Sequence, residues 1–458
     1  MSERALIVRH ALTVLVGQWA VMAFGLADTV VAGRHSATAL AALSVGAAIF
    51  ISIFIALTGV LQALLPLWAE WHGAQAPARI GRSVRQALYL WALLSVLGMA
   101  LLLAPDALLR WAEVPPPLRA EVQRYLAVLA FALPANLLFR VYGTLNQALG
   151  MPHLVTWLQL GSLLFKLPLS VWLTFGGAGL PALGAAGCAW ATVLVQYGML
   201  ALALGLLRRQ SVYAPLQLWR RLEPLHLPSL AQFARLGVPA GLAILVEVTS
   251  FTLMSLFVAR QGTVAAAAHQ IAANVAGMLY ALPLALAIAT SARASYWLGR
   301  AAPAQAAAVV WMGFRLATGV GIAAIAILLI AKDALAALYS QNPEVRTLAS
   351  ALLLWIAAYH AADVVQTFCV FVLRSYRITV APLVIYGLLL WGLGLGGGYV
   401  LAYSGWGPCA PQPSPRTFWA TSTLALVLVA ALFWVLLRRT LKARVQAVQP
   451  PASGSPER

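Results

Sequence analysis

Runs of about 20 apolar residues recur along the whole chain, each long enough to cross a bilayer core of roughly 30 Å. They fall near 10–33, 40–69, 86–105, 124–149, 154–175, 182–207, 234–259, 264–292, 304–330, 347–373, 381–403 and 417–437. A chain patterned this way has lipid as its solvent, and in lipid every backbone polar group must be satisfied within the protein. Composition closes the alternative: 62% of the 458 residues are hydrophobic and 9% charged, against about 25% charged in an ordinary soluble domain. A water-soluble globular enzyme is excluded. The expected fold class is an all-α polytopic membrane protein with twelve transmembrane helices. The first run is long and lacks a small-residue cleavage site, so it is expected to be retained as a helix.

The net charge of +18 raises the question of nucleic acid, but the cations are scattered between apolar runs and form no basic face with interleaved aromatics. They are better explained by the bias of Lys and Arg toward cytoplasmic connections. Nineteen of them lie in the N-terminus, the even-numbered connections and the C-terminal tail, against eight in the odd-numbered connections. Both termini are therefore expected in the cytoplasm. The cysteines Cys188, Cys369 and Cys409 show no CxxC spacing or pairing framework and read as packing residues.

The longest polar connection divides the spans six and six. At an offset near 230, Trp190-Ala191-Thr192 recurs as Trp419-Ala420-Thr421, Leu206-Leu207-Arg208-Arg209 as Leu436-Leu437-Arg438-Arg439, and Pro152 as Pro382. Six helices per copy place the copies in the same orientation, related by a pseudo-two-fold axis along the membrane normal, an arrangement typical of transporters. The expected organisation is an N-terminal six-helix lobe over 1–210, a cytoplasmic linker over 211–233, a C-terminal six-helix lobe over 234–440 and a disordered tail over 441–458. Pro66, Pro134, Pro168, Pro239, Pro283 and Pro382 fall in or at the ends of spans, where each can kink its helix.

Three acids lie inside spans: Asp28 in the first helix, Glu247 in the seventh and Asp363 in the tenth. Burying such a group costs about 2.5–3.5 kcal/mol even on the mildest insertion scale, and it usually marks an ion or substrate path. On the tenth helix, Tyr359, Asp363, Gln366 and Thr367 are spaced to share one face. The seventh contributes Glu247, with Thr249 and Ser250 nearby. Two carboxylates, a phenol oxygen and carbonyls suit a small hard cation, and close carboxylates equally suit a proton. Lys166, on the fifth helix, is placed to offset the burial of Asp28. His360 adjoins Tyr359 but points about 100° away around the helix and reads as a satisfied polar residue.

Several stretches together resemble the multidrug and toxic compound extrusion family, in its NorM branch. They are Phe24-Gly25-Leu26-Ala27-Asp28-Thr29-Val30-Val31-Ala32-Gly33, Gln62-Ala63-Leu64 with Pro66, Glu247-Val248-Thr249, Ala268-His269-Gln270-Ile271-Ala272 with Pro283 and Arg293, and Tyr359 through Gln366 with Leu373-Arg374. The resemblance implies two lobes in a V shape that open alternately to either side of the membrane. It also implies export of bulky, mostly cationic and aromatic compounds in exchange for Na⁺ or H⁺. Glu247, Tyr359 and Asp363 match the family's cation site in the C-terminal lobe, and so would ligate Na⁺ in a sodium-coupled member. Gln366, Thr367 and Ser250 are candidate supporting groups. Asp28 matches the N-terminal lobe acid proposed in the family for coupling or drug binding. Where the family pattern usually carries asparagine in helix 5, this chain has Lys166, with Ser170 one turn on. A cation beside Asp28 favours its charged form, which points to the C-terminal acids for coupling.

The expected protein is a monomeric bacterial inner-membrane antiporter that needs no cofactor beyond the coupling ion. No GxxxxGK[ST] loop provides for ATP. A flippase for a lipid-linked amphiphile is the alternative; it requires a basic cavity, for which Arg140, Lys166 and Arg315 are the mid-span candidates. A membrane-embedded transferase or hydrolase would need a catalytic dyad or metal cluster, which the seven His and 12 acids do not form in any recognisable motif.

Overall fold

The computed structural model describes residues 2–111, 115–177, 179–405 and 410–447. Cys409 and the end of the expected tail lie outside them. Among the described residues there are twelve helices long and apolar enough to cross a membrane. They are α1 (Glu3–His35), α2 (Ala37–Gly73), α3 (Pro77–Leu103), α4 (Pro116–Ala148), α5 (Pro152–Phe175), α6 (Ala185–Arg209), α7 (Leu227–Ala259), α8 (Thr263–Gly299), α9 (Pro303–Tyr339), α10 (Pro343–Ser375), α11 (Val380–Ser404) and α12 (Pro415–Gln446).

The helices overrun the apolar runs because hydropathy senses only the hydrocarbon-facing stretch, whereas capping sets where a helix begins. Six of them open on proline, whose fixed φ and missing N–H suit the first turn. Side-chain caps add to this: Asn342 Oδ1 accepts from the Glu344 N–H at 2.8 Å, and Ser36 Oγ from that of Ala39 at 3.0 Å. At the other end α12 continues through Gln446, so residues 441–446 are helical where a disordered tail was expected.

α11 also departs from expectation. It is α-helical over Val380–Tyr386 and then winds as a wider π-type helix over Gly387–Gly397 and Val400–Ser404. Six glycines between Gly387 and Gly398 relax the side-chain crowding that ordinarily disfavours this winding. The Thr421 hydroxyl donates to the Gly394 carbonyl at 2.8 Å.

The chain packs into two compact units, Leu12–Leu245 and Met1–Ala11 with Val246–Arg458. The division falls inside α7. Its first half carries Gly237 and Gly241 four residues apart, and a Cβ at either would lie 2.7 Å or less from the Val60 or Ala56 carbonyl oxygen of α2. This small-xxx-small contact fastens that half of α7 to the first unit. The opening of α1 packs with the second unit, where Glu3 accepts from Arg293 Nε at 3.0 Å.

Within each unit the helices pack in matching order. In the first, α4 is central and packs on α2, α3 and α6, while α5 packs on α6. In the second, α10 is central and packs on α8, α9 and α12, while α11 packs on α12. Each pairing recurs six helices later, as the repeated sequence stretches require. Apolar side chains such as Trp157, Leu164 and Ile330 stand exposed on surfaces that suit lipid and not water.

Candidate functional site

The second unit gathers its polar side chains from α7, α10 and α11. Asp363, buried on α10, lies one helical turn from Gln366 and Thr367, and the helical spacing turns all three to one face. Gln366 Nε2 donates to Asp363 Oδ1 at 2.8 Å and to Glu247 Oε1 at 3.2 Å, with Thr367 Oγ1 at 2.9 Å. Thr367 also donates to Asp363 Oδ1 at 3.2 Å. An amide nitrogen carries two protons, so Gln366 can serve two of these three acceptors at a time. Its own carbonyl oxygen accepts from the Tyr386 hydroxyl of α11. A neutral amide, oriented by a phenol, thus bridges two carboxylates from different helices.

Two contributors were not anticipated. Tyr386 sits on a helix without a charged residue, and nothing in its spacing singles it out from Trp391, Tyr399 and Tyr403. His360 was detectable: its Nδ1 stands 3.7 Å from Asp363 Oδ2. The angle to Tyr359 had suggested that it faces elsewhere, but His360 and Asp363 are themselves three apart, a spacing that brings side chains together.

Tyr359 is buried nearby but is held by rings. Phe251 and Trp419 meet it edge-on, with centroids at 5.8 and 5.7 Å. Among the described residues no hydrogen bond joins its hydroxyl to either carboxylate. Ser250 turns back on its own helix, donating to the Val246 carbonyl at 2.7 Å, and is not brought into the cluster.

The first unit holds the other predicted acid. Lys166 Nζ lies 2.9 Å from Asp28 Oδ1 and donates to the Cys188 carbonyl at 3.0 Å and to Thr192 Oγ1 at 2.7 Å. Three partners use all three ammonium protons. Ser170 Oγ donates to the same carboxylate oxygen at 2.8 Å. α1, α5 and α6 thus converge on one closed polar cluster, with Lys166 1% and Asp28 8% exposed. Cys188 and Cys369 are buried. Among the described residues no three His, Cys, Asp or Glu side chains group as a metal cage.

The MatE family model matches residues 14–172 and 239–400, one segment in each set of six helices. A probable multidrug resistance protein NorM from Aromatoleum aromaticum is 38% identical over 96% of this chain and 95% of its own length. The multidrug resistance protein PmpM of Pseudomonas aeruginosa is 30% identical over 94% of this chain and 90% of its own. Among solved structures, the Vibrio cholerae MATE transporter VcmN in its bent form superposes with a TM-score of 0.84 at 18% identity, covering 98% of this chain and 99% of that one. The eukaryotic MATE transporter AtDTX14 gives the same TM-score and coverage at 17% identity. The twelve-helix architecture, the repeated packing and a family model that spans both halves agree: the chain belongs to the MatE family, among its NorM-like members.

Proposed function

We propose that this protein is a secondary active multidrug efflux transporter of the bacterial inner membrane. It exchanges cytoplasmic organic compounds, mostly cationic and aromatic, for external Na⁺ or H⁺. One observation carries the reading: Glu247 and Asp363 share the amide of Gln366 inside a lipid-spanning unit. Two carboxylates in a medium of low dielectric demand compensation, and an amide supplies hydrogen bonds but no charge. The names of the relatives, multidrug resistance proteins, support the cargo class.

In the cycle, one negative site serves two competing cations. While it is open to the cytoplasm, an organic cation is drawn to Glu247 and Asp363. After the site opens outward, Na⁺ or H⁺ takes the place of the cargo. Sodium would be held by the oxygens of Glu247, Asp363 and Tyr359; a proton would sit on a carboxylate. Each charge moved inward gains about 2.3 kcal/mol per 100 mV, which bounds how far cargo can be concentrated. The halves 1–210 and 234–440 act as the alternating lobes, and both termini face the cytoplasm. Asp28, compensated by Lys166, stays charged and fixed through the cycle.

The test is accumulation of ethidium in proteoliposomes under an imposed sodium gradient at fixed pH, and under a pH gradient without sodium. One of the two gradients drives accumulation. If neither does in vesicles holding folded protein, the antiport reading is wrong.

A further inference from the structure

We propose that the second unit binds the headgroup phosphate of an anionic membrane phospholipid between Arg315 of α9 and Arg438 of α12. Neither residue belongs to the carboxylate cluster, and the site does not depend on the efflux reading. α9 and α12 meet through rings: Trp311 lies edge-on to Trp434 with centroids at 5.3 Å, and Phe314 packs on Trp434 at 4.4 Å. Arg315 follows Trp311 by four residues and Arg438 follows Trp434 by four, so each arginine shares its tryptophan's helical face. Odd- and even-numbered spans run in opposite directions. One turn on therefore carries Arg315 about 6 Å deeper into the bilayer than the ring contact, and Arg438 about 6 Å nearer the water. Every Cα–Cβ bond leans toward its helix N-terminus, so the two side chains lean toward each other across that contact.

Arg315, weighed from the sequence as part of a basic cavity, instead stands exposed on α9, and Arg438, Arg439 and Lys442 are exposed on α12. Lys442 continues the face of Trp434 and Arg438 by one further turn. Among the described residues none of these four cations has an ion pair. A guanidinium cannot shed its charge, and its planar fork matches phosphate oxygens in two-point contact. An arginine on the outer face of a spanning helix is stabilised by reaching the headgroup level. Farther along the same two faces the surface turns apolar, with Ile322 63% and Val427 47% exposed, which suits the acyl chains of the same lipid. On the proposed orientation this is the cytoplasmic leaflet, where basic pockets between helices recruit anionic headgroups.

The internal repeat supplies a contrast. Arg208 and Arg209 match Arg438 and Arg439, and Tyr89, twelve residues after Pro77, matches Arg315, twelve after Pro303. In the first unit the segment after α6 folds back over the corresponding place. A 3₁₀ turn, Ser211–Leu216, packs on both α3 and α6. The Tyr89 hydroxyl donates to the Glu223 carbonyl at 2.9 Å, and the Glu223 carboxylate pairs with Arg85. There the chain provides both the cover and the anion. In the second unit α9 and α12 meet directly, and the side chains of residues 448–458 comprise one acid, Glu457, and one base, Arg458. They bring no net charge to four exposed cations. A phospholipid provides what Glu223 provides in the first unit, a negative group held against two helices.

The experiment is native mass spectrometry of the full-length protein in detergent, titrated with phosphatidylglycerol or with phosphatidylcholine of the same chains. Arg315→Gln and Arg438→Gln are each expected to weaken binding of the first phosphatidylglycerol about fivefold, with phosphatidylcholine changed by less than about twofold. Arg208→Gln with Arg209→Gln, the repeat counterpart, should change either lipid by less than about twofold. Equal loss from that control would mean diffuse attraction to any basic helix end and overturns the proposal, as does an unchanged affinity in both test variants. Displacement of the lipid by inorganic phosphate would assign a free anion, and a several-fold gain on deleting 448–458 would make that segment the occupant; either result overturns it. Should the variants fail to fold, the wild-type protein decides. A phosphatidylglycerol with a photoreactive acyl chain is expected to label α9 and α12 above all other helices, and labelling centred elsewhere overturns the assignment.

Discussion

In the first unit the buried acid Asp28 meets a lysine whose three protons are all engaged; in the second, Glu247 and Asp363 meet an amide that must divide two protons among three acceptors. The first arrangement holds its compensating charge within the chain. In the second, among the described residues, no lysine or arginine forms an ion pair with either carboxylate and only His360 stands near Asp363; on the proposed reading a mobile ion balances that charge. Burying an acid is therefore not by itself a sign of ion coupling. What distinguishes the sites is whether the compensating charge is part of the chain.

That contrast can be broken most directly by removing charge on each side. Glu247→Gln and Asp363→Asn are each expected to abolish ion-driven efflux of a fluorescent cation by membrane vesicles, with expression unchanged. Asp28→Asn should leave the ion dependence of residual transport as it is, whatever its effect on rate. If both second-unit variants transport normally, the division of roles fails.

A smaller effect separates compensation from packing. Lys166→Ala leaves Asp28 buried without its cation, which should cost about 3–5 kcal/mol. Asp28→Asn combined with Lys166→Met removes both charges and should cost much less. Thermal unfolding in detergent compares them, and equal losses would mean that the lysine is valued for its packing and not its charge.

A lesser change tests the bridge. Gln366→Leu keeps both carboxylates but removes their shared donor, which should cost about 1–3 kcal/mol of local stabilisation. The expected reading is an altered half-saturating concentration of the coupling ion with transport retained. Complete loss of transport would make Gln366 a ligand in its own right.

The smallest effect concerns a pair outside the membrane-spanning helices on its acidic side. Arg85 Nε donates to Glu223 Oε2 at 2.8 Å, and that hydrogen bond, with the charge behind it, holds the Glu223 carboxyl below its ordinary range. A lowered carboxylate contributes stability above its unfolded pKa and loses it as pH falls through the folded value. Melting temperature should therefore drop on acidification below the usual carboxylate range, and Glu223→Gln should flatten that limb slightly without touching transport. Partial solvent exposure and salt keep the effect small.

Much of this was legible in the sequence because lipid imposes simple rules. Twelve apolar runs, a six-plus-six division and three intramembrane acids follow from hydropathy and charge alone. The duplication was visible in short matched stretches, and the packing of α4 and α10 repeats it. Even so, matched text did not mean matched surroundings: Trp190 is 39% exposed while Trp419 is fully buried among Phe251, Tyr359 and His269. The spacing of Tyr359 to Asp363 put a phenol on the right face, yet rings hold it. Helical periodicity gives the direction of a side chain and not what stands opposite.

By itself, then, the sequence determined solvent, helix number, the internal repeat and the acids that need an explanation, since each depends on residue type and spacing along one chain. Only the tertiary structure decided that Asp28 is closed off by Lys166 and that Gln366 joins Glu247 to Asp363 under Tyr386. Those outcomes depend on which helices lie side by side. Two residues 119 or 138 positions apart meet through packing, which no local pattern encodes.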